Sequence, residues 1–89
     1  MEGKIVSEQQ VIVLSEFMAA PKNWFESQKL HQKTMVPAST VRHLLFNFFK
    51  LGILERSEVL GSYRYRLSPT AEAQPYFARV LEAATVMRT

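Results

Sequence analysis

The chain has no cysteine. That excludes a disulfide framework, a thiolate metal site and a thiol nucleophile, and it fits a reducing compartment. Glycine is also scarce: Gly3, Gly52 and Gly61 stand alone, so there is no glycine-rich loop to cradle a phosphate. The two histidines, His31 and His43, have no cysteine or acidic pair beside them, and no serine or threonine sits in a nucleophile motif with a paired base. No enzyme activity, cofactor or metal is expected. No apolar run approaches the roughly 20 residues that span a bilayer, and the first twenty residues lack the pattern of a signal peptide. The expected location is cytoplasmic, away from membranes.

What is present is a hydrophobic fraction of 47% in 89 residues, enough for one core and one domain over 1–89. The organising stretch is 24–51. Pro37 suits a first helical position, and Gly52 suits the left-handed residue that ends a helix. Between them Val41, Leu44, Leu45, Phe48 and Phe49 recur at helical spacing, leaving Arg42, His43, Asn47 and Lys50 towards water or a ligand. A shorter helix over 25–33 precedes this helix over 37–51, and the tight turn between them makes a helix-turn-helix.

Ser7 and Gln10 form a capping-box pattern that opens a helix over 7–20, apolar on more than one side and stopped by Pro21. After Gly52 the period changes to two, and 53–67 reads as a β-hairpin turning at Gly61-Ser62. Alternation puts Tyr63, Tyr65 and Leu67 on the core side and Arg64 and Arg66 outward. A last helix is expected over 69–86, capped by Ser68, with Ala73, Tyr76, Phe77, Val80, Leu81 and Ala84 as its apolar stripe. Pro75 should kink it or start it afresh.

Charge is unevenly placed. Residues 22–66 carry eight lysines and arginines against Glu26, Glu55 and Glu58, whereas the ends are neutral to acidic. Such a cluster either attracts a polyanion, nucleic acid above all, or is only a solvated basic face.

Three helices, a hairpin and a further helix look like a winged-helix domain, α+β but mostly α. More specifically, three stretches resemble the DNA-binding core of the multiple-antibiotic-resistance regulator family. They are Ser39-Thr40-Val41 leading into Leu44-Leu45, then Phe49-Lys50-Leu51-Gly52-Ile53-Leu54-Glu55-Arg56, then Leu67-Ser68-Pro69-Thr70-Ala71. The likeness covers most of 7–86. It implies binding to double-stranded DNA, with Ala38, Ser39, Thr40, Arg42 and His43 early on the recognition helix meeting bases or phosphates. Arg64 and Arg66 from the wing, and Lys33 from the turn, would reach the backbone or minor groove. Each of these charges also has a plain surface reading; for Arg42 that includes pairing with Glu26.

A rival function uses the same scaffold as a protein–protein interaction module within a larger assembly. A basic and polar recognition face favours DNA, an apolar one favours protein, and Phe46 is the apolar dissenter. The surplus apolar surface of the first and last helices predicts a homodimer paired through them.

Overall fold

In a computed structural model that describes residues 7–88, with side chains through 83, four helices and one hairpin follow in the expected order. Helix α1 (Glu8–Ala19) opens with the full capping box. The Ser7 hydroxyl accepts from the Gln10 amide at 3.2 Å, and the Gln10 side chain accepts from the Ser7 amide at 3.0 Å. The same Gln10 oxygen accepts the Tyr76 hydroxyl at 2.7 Å, so the start of α1 is tied to the last helix. Burial raises the Tyr76 hydroxyl above the ordinary tyrosine pKa.

Helix α2 (Ser27–Thr34) begins two residues later than the pattern over 25–33 suggests. Phe25 is engaged elsewhere, exchanging backbone hydrogen bonds with Tyr65 at 2.8 and 2.9 Å, and Glu26 stays extended as the cap. The turn to helix α3 (Ala38–Lys50) is held by local bonds. Thr34 Oγ1 donates to the Leu30 carbonyl at 2.7 Å and accepts the Val36 amide at 3.2 Å, while His31 Nδ1 lies 2.7 Å from the Val36 carbonyl. His31 is therefore a fastener of the turn rather than a plain surface residue. Met35 takes φ 63°, the left-handed conformation that glycine usually supplies.

Pro37 stands one position outside α3, not at its first helical position: its ψ of 142° is extended, and its carbonyl accepts the Val41 amide at 2.9 Å. The far end behaves as the glycine predicts. Gly52, at φ 80°, donates to the Phe49 carbonyl and Ile53 donates to the Phe48 carbonyl, the two bonds of a Schellman motif. A Cβ on Gly52 would also come within 3.1 Å of the Gln74 side chain.

Strands β1 (Leu54–Val59) and β2 (Ser62–Leu67) pair antiparallel, with Glu55 opposite Arg66 and Arg56 opposite Tyr65. The turn is Leu60-Gly61, one residue earlier than expected. Both residues have positive φ, 51° and 81°, as a two-residue type I′ turn requires. Tyr63 departs from its expected core position. It is 47% exposed, whereas Tyr65 is buried, because the hairpin meets the core only at its base, where Phe25 bonds to Tyr65. The expected last helix over 69–86 is divided. Ser68 and Thr70 form a turn, Ala71–Ala73 a single 3-10 turn, and helix α4 (Pro75–Arg88) starts afresh at Pro75, where the missing N–H costs nothing.

One buried cluster joins these elements. Val13, Leu14 and Phe17 of α1, Leu30 of α2, Val41, Leu45 and Phe48 of α3, Ile53, and Phe77 and Val80 of α4 form its centre. Phe17 meets Phe25 edge to face at 4.9 Å between ring centroids. Much of the apolar surface of α1 and α4 is thus consumed within one chain. Leu81 is 41% exposed, and Ala84 lies outside the described side chains.

Candidate nucleic-acid interface

Burying Val41, Leu44, Leu45 and Phe48 fixes the rotation of α3 about its axis and so decides which residues face outward. Ser39, Arg42, His43, Phe46 and Lys50 are exposed and Asn47 is half-buried; Ala38 and Thr40 are half-buried at the start of the helix. The helix carries no acidic residue. Among the described residues Arg42, His43 and Lys50 have no carboxylate partner. This is a cationic and polar face whose charges are not neutralised from within.

Arg42 lines an open cleft of about 540 Å³ between α3, the start of α2 and the hairpin. Phe46, Tyr63, Arg56 and Glu26 line it too. Of these, Glu26 does not hold Arg42; its carboxylate is 3.3 Å from Arg64 Nε. The pairing of Arg42 with Glu26 that the sequence left open is absent.

The other charges expected to meet DNA are placed differently. Lys33 Nζ lies 3.0 Å from Glu16 on α1. Arg66 Nε donates to its cross-strand partner Glu55 at 2.7 Å, and its guanidinium lies 4.4 Å from the Trp24 ring centroid. These pairs are partly exposed, so each is worth only about 0–1 kcal/mol. They nevertheless orient the side chains along the protein surface. The structure thus brings Arg42 together with the inner face of the wing and leaves Lys33 and Arg66 engaged with other partners.

One further residue of the cleft, Arg56, was not among the site residues expected from the sequence. The Arg56 guanidinium sits between two rings, 4.4 Å from Phe49 and 4.2 Å from Tyr63. Arg56 lies directly opposite Tyr65 and diagonal to Tyr63, so all three share one face of the hairpin. Period-two alternation could have placed Arg56 there, but only the register shows that Tyr63 lies beyond the core. Along α3, the four-residue spacing of Arg42, Phe46 and Lys50 was a legible signal of a second ridge beside Ser39, His43 and Asn47.

Among the described residues no group of three histidines or acids could hold a metal ion, and no helix is long and apolar enough to cross a membrane. No protein-family model matches the sequence, and no curated protein is significantly similar to it. Solved structures are similar in fold. A possible transcriptional regulator from Methanosarcina mazei Go1 has a TM-score of 0.70 at 17% identity, covering 92% of this chain and 72% of that one. A MarR family protein from Bacillus stearothermophilus gives 0.63 at 18% identity, over 92% of this chain but 56% of its own length. A protein from Archaeoglobus fulgidus gives 0.68 at 16% identity, with 96% and 93% covered. The chain is thus a winged helix, with the fold found in MarR-family regulators.

Proposed function

We propose that this chain binds double-stranded DNA sequence-specifically, as a cytoplasmic transcriptional regulator. The observation that carries the reading is the outward face of α3, cationic and polar, free of acids and, among the described residues, not neutralised by neighbouring carboxylates. A helix of 13 residues with such a face fits the major groove of B-DNA, which is about 12 Å wide. Arg42, near the start of the helix, grips a guanine edge with both guanidinium nitrogens. Ser39 and His43 meet neighbouring base edges or phosphates, and Ala38 and Thr40 allow close approach at the helix start. Arg64 and Arg66 follow the adjacent backbone with the wing, exchanging their present carboxylates for phosphates. Lys33 must likewise leave its carboxylate, Glu16, to reach DNA.

The active species is a homodimer paired through α1 and α4. Symmetry then sets two recognition helices about 34 Å apart, one turn of duplex, on a roughly palindromic site. Only the exposed remainder of α1 and α4 serves this contact, since their inner faces pack on each other within one chain. Sedimentation that returns only monomer at tens of micromolar, with and without DNA, removes the dimer.

The rival reading, a protein–protein interaction module, draws on Phe46, exposed in the middle of the same face. Electrophoretic mobility shift with random duplex at two salt concentrations separates the two. DNA binding gives a shift that weakens steeply as salt rises, and a chain that shifts no duplex at either salt belongs to the rival.

A further inference from the structure

Among the described residues of α3, Phe46 is the one exposed apolar side chain, at 44% of its surface. It stands between two cations on one ridge of the helix, Arg42 four residues before it and Lys50 four residues after. The Lys50 ammonium lies 5.5 Å from the Phe46 ring centroid. At 1.5 Å rise per residue the ridge from Arg42 to Lys50 is about 12 Å long, close to the width of the major groove. A helix laid there with Arg42 at a base edge sets the Phe46 ring one turn, about 6 Å, further along the same ridge and over the groove floor, with Lys50 beyond it towards the phosphates.

That floor is almost wholly polar. Guanine and adenine N7, guanine O6, thymine O4 and the amino groups of adenine and cytosine all lose hydration without compensation under an aromatic ring. The apolar group the floor offers is the C5-methyl of thymine. We propose that Phe46 reads a thymine C5-methyl group in the major groove, beside the base read by Arg42. This rests on the DNA-binding reading and adds a specificity residue to it. The ring shares its cleft with Tyr63 but lies between Arg42 and Lys50 on its own ridge, and those two cations suit a polyanion with one apolar feature better than the apolar patch of a protein partner.

The test uses the full chain and a duplex selected from a random pool for tight binding. Each thymine of the site is replaced in turn by deoxyuridine, which keeps the base pair and lacks the methyl. At one position the wild-type chain should weaken about four-fold, the effect of removing one buried methyl group. Phe46→Ala should be weaker on the thymine site and indifferent to deoxyuridine at that position, while Phe46→Leu retains part of the discrimination. Equal wild-type affinity for thymine and deoxyuridine at every position overturns the assignment and leaves DNA binding intact. So does a Phe46→Ala chain that binds every duplex as the wild type does, which hands the ring to a protein partner. Failure of the wild-type chain to bind any duplex overturns the DNA reading itself.

Discussion

Helix α3 and the wing both carry positive charge outward, yet they hold it in opposite ways. On α3, Arg42 and His43 stand clear of every carboxylate among the described residues. On the hairpin each arginine is engaged: Arg64 with Glu26, Arg66 with Glu55 and Trp24, and Arg56 between Phe49 and Tyr63. A count of charges treats the two regions alike. Their partners separate them: the helix offers Arg42 to a ligand at no cost in broken contacts, whereas the wing must exchange one partner for another.

The largest expected effect tests the free side of that contrast. Arg42→Ala should cost about 1–3 kcal/mol on the preferred duplex and much less on random DNA, lowering the specificity ratio. Fluorescence anisotropy titrations on both duplexes measure it, and an equal loss on both would assign Arg42 to a phosphate. Next comes a substitution that should move folding alone. Gln10→Ala removes the cap partner of Ser7 and the acceptor of Tyr76 at once, and should lower unfolding stability by about 1–2 kcal/mol in a urea melt. Duplex affinity should stay unchanged, since Gln10 sits at the far end of α1 from the cleft residues.

Smaller effects probe the engaged side. Arg64→Ala removes the cation that Glu26 now holds, and if the wing follows the DNA backbone, the log–log dependence of affinity on salt should flatten by about one unit. An unchanged slope would mean that Arg64 does not reach a phosphate. The mildest change is Leu60→Asn. Leu60 is fully exposed and held at φ 51°, a conformation asparagine tolerates better, so the variant should gain about 0.5–1 kcal/mol of stability, read as a raised melting temperature.

The sequence disclosed what depends on local chemistry. Ser7 with Gln10, Gly52 after Lys50 and Pro75 before Tyr76 each announce a helix end through one backbone requirement, and each is found within a residue or two of its expected place. The buried stripe of α3 was legible for the same reason, because helical spacing alone decides which side chains share a face. What could not be read depends on contacts between distant segments. Tyr63 and Tyr65 are equivalent to a period-two pattern, and only the bond from Phe25, forty residues earlier in the chain, makes one of them core and leaves the other in the cleft. The late start of α2 has the same origin. The partners of Lys33, Arg64 and Arg66 lie on other elements or depend on strand register, so no spacing rule assigns them.

The two hydrogen bonds between Phe25 and Tyr65 bear on how fast and how tightly a ligand is captured. They make β2 the middle row of three and attach the wing to the segment that leads into α2, so wing and helix-turn-helix form one lever. A hairpin attached only through its own turn would have to be ordered at each encounter, at a cost of about 1–2 kcal/mol of backbone entropy per residue fixed. Here much of that ordering precedes the encounter, and pre-organisation of this kind appears as tighter binding without added contacts. Amide exchange is its signature: the Phe25 and Tyr65 amides should be protected to the same degree in the free protein, and an early release of Tyr65 alone would show that the wing swings independently.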